Sequence, residues 1–316
     1  MEQPIALKSR TVNRAKKSSP IKKILKHWQL YLLILPPLAL LVIFKYIPMY
    51  GVQIAFRDYN PAVGIFDSRW IGLENFISFF QSFEFSRLLV NTITISFYSI
   101  IAGFPIPIIL AISFNEARNR FFSKTVQMIT YAPYFLSTVV MVAILNQFLS
   151  KVGLLNNLLS LLHLPAVDLM GYPWLFKSIY VWSGVWQSAG FNAVIYIAVL
   201  SGINQELYDA ARIDGANNMQ RILNIDVPSI MPTATILLIL SSAQILNVGF
   251  EKIFLMQNPL NISVSDVIST YVYRIGLLNA QYSYSAAIGL FNSIVSMLLL
   301  AAVNQVSRKF SETSLW

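Results

Sequence analysis

The sequence predicts an all-α, membrane-embedded fold of six spanning helices with both termini in the cytoplasm. Three observations predict it. Of 316 residues, 56% are apolar and 12% charged, and the mean hydropathy is +0.59, far from the balance of a water-soluble domain. Six apolar stretches each approach the roughly 20 residues that a helix needs to cross the hydrocarbon. Basic residues crowd one end: eight of the 23 Lys and Arg precede Trp28.

The first segment, residues 1–27, is a basic tail from Lys8 to Lys26, which reads as a topology signal resting against anionic lipid headgroups. Six spans are then expected, at Leu30–Ile47, Leu88–Phe114, Val126–Leu149, Leu175–Leu200, Thr233–Phe250 and Tyr284–Val306. Pro36 and Pro37 in the first and Pro105 and Pro107 in the second should kink their helices. Between the first two spans, Phe76, Ile77, Phe79, Phe80 and Phe83 recur at near-helical spacing, predicting a short helix in the outer interface. Leu154–Leu164 predicts a second, carrying His163, and Asp266–Ile275 a third. Arg118, Arg120, Lys124, Arg212, Arg221, Arg308 and Lys309 join the tail inside, and Lys45, Arg57, Arg69, Arg87, Lys151, Lys177, Lys252 and Arg274 fall outside or at span edges.

Composition excludes several functions. The chain has no cysteine, so disulfides and thiolate chemistry are ruled out. His27 and His163 are too far apart to suggest a metal cluster. The net charge of +9 is concentrated in the tail, with no basic and aromatic surface recurring later, so nucleic acid is not an expected partner. The expected spans carry no ionisable residue in their cores, which disfavours proton coupling and acid–base hydrolysis within the membrane. No GxxxxGK[ST] phosphate loop occurs, so any ATP must be bound by another chain.

The inner loop over 204–232 is the most ordered connection. Glu206–Ile213 combines good helix formers with an acid in the first turn, where it opposes the positive end of the helix dipole. Asp214 and Gly215 then close the helix, because glycine accepts the left-handed conformation of a C-terminal cap. A second helical stretch, Asn218–Ile225, is expected to stop before Pro228. By spacing alone, the loop reads equally as an amphipathic connector or as a helix presented to a partner.

The order Asp209-Ala210-Ala211, then Gly215, then Val227-Pro228 resembles the EAA loop of permease subunits of binding-protein-dependent ATP-driven importers. The loop lies before the penultimate span on the expected inner face, as in that family, with Asp209 where the family usually has Glu. PMYGVQIAFRDYN at Pro48–Asn60, WIGLENF at Trp70–Phe76, Asn91-Thr92 and NAVIYIAVLSGI at Asn192–Ile203 resemble the oligosaccharide-importing subfamily. The first of these is similar to permeases for lipoprotein-assisted polysaccharide or oligouronide uptake. The resemblance implies the type I permease fold of ATP-binding-cassette importers in the inner membrane, one six-span domain over 28–316 with a core over about 87–306. It implies that Glu206, Asp209, Ala210, Ala211, Asp214 and Gly215 dock onto a separate ATPase. The implied partners are a second homologous permease, an ATPase dimer, an extracytoplasmic solute-binding protein and membrane lipid. ATP and Mg are held by the ATPase, with no cofactor in this chain and no reaction catalysed by it.

Polar and aromatic residues within or near the spans, among them Tyr134, Trp186, Gln187, Gln244, Asn247 and Asn292, suit a sugar path, although such residues also bond packed helices to one another. Registered on the EAA loop, Gln187, Ser188 and Phe191 in the fourth span and Ser241, Ile245 and Val248 in the fifth correspond to sugar-contacting positions of the maltose-type family. Ile245 and Val248 replace family amides, which Gln244 and Asn247 beside them can supply. The expected path is therefore Gln187, Ser188, Phe191, Ser241, Gln244 and Asn247, in one half of an alternating-access pore. The alternative readings are a membrane scaffold without a pore and a secondary carrier without an ATPase.

Overall fold

The structure is a computed structural model that describes residues 28–117 and 119–310. The basic tail with His27, Arg118 and residues 311–316 lie outside the described residues, as does the side chain of Lys309, so the topology signals they carry have no structural counterpart here. Contacts divide the chain into two compact units, Met1–Val52 and Gln53–Trp316.

In the first unit, helix α1 (Trp28–Leu41) runs through Pro36 and Pro37 and continues as a π-turn at Val42–Tyr46 and a short helix at Ile47–Met49. Leu30 to Leu35, Leu38 and Leu40 are all exposed. A helix that is apolar all round and lacks a buried face belongs in lipid rather than in water.

The second unit begins within a 3-10 helix, Tyr50–Phe56, and forms a two-stranded antiparallel ribbon, β1 (Arg57–Asp58) with β2 (Arg69–Trp70). Helix α2 (Glu74–Gln81) follows. The expected interfacial helix is thus present, but its aromatic face is a clamp. Phe79 is buried and meets Phe85, Tyr284 and Phe291 edge-on, joining α3 (Phe83–Gly103) to the last helix, α13 (Tyr282–Phe310).

The second span is α3 and α4 (Pro105–Glu116), broken at Phe104 by the prolines as expected. The third differs from its expected course. α5 (Arg120–Tyr131) ends in a 3-10 turn at Ala132–Phe135, and α6 (Thr138–Leu149) restarts on Ser137, whose hydroxyl accepts from Val140 N. Pro133 has no N–H to carry the helix on, so Val126–Leu149 is not continuous; the apolar stretch of spanning length is Thr138–Leu161, which includes α7 (Leu154–Leu161). His163 follows α7 at φ 56°.

α8 (Pro173–Ser201) is the centre of the fold and packs against α3, α4, α5 and the fifth span. Its outer half shares a core with α3, α6 and α11 (Phe250–Met256), through Ile95, Val142, Tyr180, Val185 and Ile253. Its inner half shares another, Ala111, Ala193, Tyr196, Leu200, Ile230 and Ala234, with α4 and α10 (Val227–Ala243). Gly190 makes one of these contacts possible: a Cβ there would stand 2.2 Å from the Thr130 carbonyl oxygen of α5.

The fifth span also departs from expectation. Asn218–Arg221, a π-turn at Ile222–Asp226 and α10 run continuously through Pro228, and the spanning stretch is Asn218–Ser242. Pro228 follows directly on the π-turn, whose altered hydrogen-bond pattern accommodates the missing N–H without ending the helix. The helix ends at Ala243, seven residues early, so Gln244 and Asn247 lie in the turn that leads to α11. The same shift places Asp226, fully buried, inside a spanning segment, which corrects the expectation of spans without ionisable cores. After α11, α12 (Ile268–Tyr273) supplies the expected third outer helix. Asp266, fully buried before it, receives Arg274 at 2.5 Å and Arg87 at 3.7 Å, locking the outer ends of α3 and α12 together.

Candidate functional site: an inner docking helix and a path along α8

α9 (Gln205–Ile213) forms where the loop helix is expected. Asn204 caps it, its Oδ1 accepting from Glu206 N at 3.1 Å while its Nδ2 donates to Glu206 Oε2 at 3.0 Å. At the other end Asp214 N bonds Ala210 O and Ala216 N bonds Ala211 O, with Gly215 at φ 75°, the left-handed cap read from the sequence. Glu206, Asp209, Ala210, Asp214 and Gly215 are exposed and Ala211 is half-buried. Asp209 meets Arg212 at 3.3 Å, an exposed pair that holds the carboxylate only loosely.

One tie anchors this helix and another joins the spans beside it, and neither was read from the sequence. Tyr208, the one buried side chain of α9, donates its hydroxyl to Asp226 Oδ1 at 2.5 Å. Burial and the adjacent carboxylate push the Tyr208 hydroxyl up to about 12, so it keeps its proton and donates. Arg221 bonds Glu116 at 3.0 Å, joining the start of the fifth span to the end of α4. The signal for the first tie was a lone aromatic in a polar helix. For the second it was a pair of opposite charges at inner span ends. Leu207 and Ile213 of α9 are exposed apolar residues flanked by acids, a surface suited to another protein.

The six expected path residues are not gathered in one place. Ser188 and Ser241 share a cavity of ≈ 360 Å³ that also includes Asn192 and Tyr196, between α3, α4, α8 and α10. Their hydroxyls donate to Gly184 O and Leu237 O, each at the preceding turn of its own helix. Gln187 Nε2 instead donates to Leu136 O at 3.0 Å, and Phe191 stacks on Tyr134 with ring centroids 3.9 Å apart and planes 7° apart. Both side chains therefore face the turn between α5 and α6. Asn247 Oδ1 accepts from Asn292 Nδ2 of α13 at 3.0 Å, and Gln244 lies exposed at the end of α10.

Six apolar helical stretches long enough to span among the described residues, ends tied across the bundle and an exposed inner helix define a polytopic membrane permease that works with partner proteins. Residues 103–312 match the family described as binding-protein-dependent transport system inner membrane component, and the chain belongs to it. It is 38% identical to protein LplB of Bacillus subtilis (strain 168) over 91% of each chain. It is 36% identical to the polygalacturonan/rhamnogalacturonan transport system permease protein YteP of the same organism, over 96% of this chain and 95% of that one. Among solved structures, it matches a chain of a bacterial alginate ABC transporter in complex with an alginate pentasaccharide-bound periplasmic protein, with a TM-score of 0.85 and 39% identity over 93% of this chain and 99% of that chain. The chain is thus a transport subunit of the inner membrane and not an enzyme.

Proposed function

We propose that this subunit forms half of the translocation pore of an ATP-driven importer for an oligosaccharide, an acidic one derived from a polysaccharide. The cargo reading is supported by relatives named for alginate and for polygalacturonan/rhamnogalacturonan transport. A second permease completes the pore, a solute-binding protein delivers the cargo outside, and an ATPase dimer binds ATP and Mg inside.

The observation that carries the coupling role is the exposed, doubly capped α9 with only Tyr208 turned inward. Glu206, Asp209, Ala210, Ala211, Asp214 and Gly215 meet the ATPase, Leu207 and Ile213 fill apolar hollows on it, and closure of the ATPase pair is passed through Tyr208 and Asp226 to the fifth span. Ser188 and Ser241 line the path directly, while Gln187 and Phe191 hold the turn at Leu136 beside it. Asp209→Lys or Gly215→Pro should release the ATPase on purification of the complex. Co-purification and ATPase rates equal to the parent's would remove α9 from the docking surface.

A further inference from the structure

Lysine 252 occupies an unusual place. It projects from α11 onto α8, where its Nζ donates to Tyr180 O at 2.9 Å and lies 4.8 Å from the centre of the Tyr180 ring. An ammonium has three N–H groups, so two remain for another acceptor. The five ion pairs among the described residues all use arginine; Lys252 is half-buried without an acid. Holding a cation part-way out of water without a counter-ion is costly, and a ring face offsets only some of that cost. Burial accordingly pulls its pKa down to about 8.

Its position relative to the path is set by helix geometry. Lys177, Tyr180, Gly184 and Ser188 follow one another at intervals of three or four residues and so form one stripe along α8. The ammonium rests on this stripe at Gly184, where an added Cβ would stand 3.2 Å from Nζ, so the glycine makes the room it occupies. Ser188, one turn further in by about 5.4 Å, bonds Gly184 O and opens on the ≈ 360 Å³ cavity. Lys177, half-buried and likewise in no ion pair among the described residues, lies two turns outward on the same stripe. Two amines therefore precede the uncharged hydroxyls along the inward direction.

We propose that Lys252, with Lys177 outward of it, forms a cationic threshold at the outer end of the path that recognises the carboxylates of an acidic oligosaccharide and selects it over a neutral one. The inference rests on the oligosaccharide reading above. A carboxylate supplies the missing counter-ion on arrival and passes on to hydroxyl contacts. A lysine that merely tied α11 to α8 would need one donor and no charge.

The test uses the complete complex in proteoliposomes, with an oligouronide and the same oligosaccharide after reduction of its carboxyls to primary alcohols. Lys252→Met should lower uptake of the oligouronide about tenfold, the worth of one charge-assisted hydrogen bond, and leave uptake of the reduced form within about twofold of the parent. Lys252→Arg should restore the oligouronide, and Lys177→Met should give a smaller loss of the same selectivity. Equal loss for both sugars, or for neither, overturns the proposal and leaves Lys252 as a structural tether or a contact for the binding protein. Should Lys252→Met fail to assemble, Lys252→Arg with unaltered selectivity and Lys177→Met without effect on it support and oppose the proposal respectively. Uptake of neither sugar by the parent would instead overturn the oligosaccharide reading, and the threshold with it.

Discussion

One hydroxyl, that of Tyr208, ties the exposed helix α9 to the fifth span. Asp226 is fully buried, its Oδ1 takes the Tyr208 proton donor, and its Oδ2 has no partner among the described residues. Removing the donor leaves a buried carboxylate without a hydrogen bond, which costs about 1–3 kcal/mol. Tyr208→Phe should therefore lower the unfolding temperature of the purified complex, and Tyr208→Phe with Asp226→Leu should recover most of the loss, because an apolar pair leaves nothing unsatisfied. Additive losses in the double variant would contradict the tie. At the outer side, Lys252 carries the pH dependence. It touches Tyr180; the other titratable side chains nearby in the fold are Lys177 on α8, Tyr271 and Tyr273 on α12, Arg274 beyond it and Glu251 on its own helix, while α6 brings none. With its folded pKa at about 8, below the ordinary 10.5, it is charged below pH 8 and loses the charge above it. Uptake of an acidic sugar should hold up to pH 7.5 and fall between pH 8 and 9, while folded-state stability gains from this group as pH rises from about 8 toward 10.5, where the unfolded chain alone keeps the proton. A flat acidic-to-neutral uptake ratio across that range would contradict the assignment.

Among the elements, α8 decides most, because both halves of the core are built on it. Its approach to α5 depends on Gly190, where any side chain would run into the Thr130 backbone. Gly190→Ala should push α5 away and destabilise the subunit by about 1–3 kcal/mol, read as a lower melting temperature; an unchanged one would mean that α5 moves freely. The helices α8 and α9 were legible in the sequence, since the expected Leu175–Leu200 falls within one and Gly215 caps the other. The boundaries of the third and fifth spans were not. Hydropathy registers apolar length and is blind to Pro133, Ser137 and the π-turn at Ile222–Asp226, which fix where helices break or run on. The fifth span shifted inward as a result, carrying Asp226 into a buried site and leaving Gln244 and Asn247 in a turn.

For the molecule as a whole, the six apolar stretches of spanning length among the described residues and the loop helix α9 could be read from pattern, but the side-chain ties that join them could not. Tyr208 to Asp226, Arg221 to Glu116 and Arg274 to Asp266 pair residues 18, 105 and 8 positions apart, and only packing brings the distant ones together. The path residues were half legible: the resemblance, registered on the loop, put Gln187, Ser188 and Phe191 on the fourth span, and packing then turned Gln187 and Phe191 toward α5 and α6 and only Ser188 into the cavity with Ser241. In the proposed reading, a docking helix inside, a cavity in the middle and a cationic threshold outside follow one another along the path, as import driven by a partner's hydrolysis requires. The most direct test reconstitutes this chain with its partner permease, ATPase and binding protein, and follows ATP hydrolysis and sugar entry in the same vesicles. Loaded binding protein should raise both together, and Asp209→Lys should abolish both while the chain still inserts in the membrane. Sugar entry that persists without ATP, or hydrolysis indifferent to the loaded binding protein, would contradict the account.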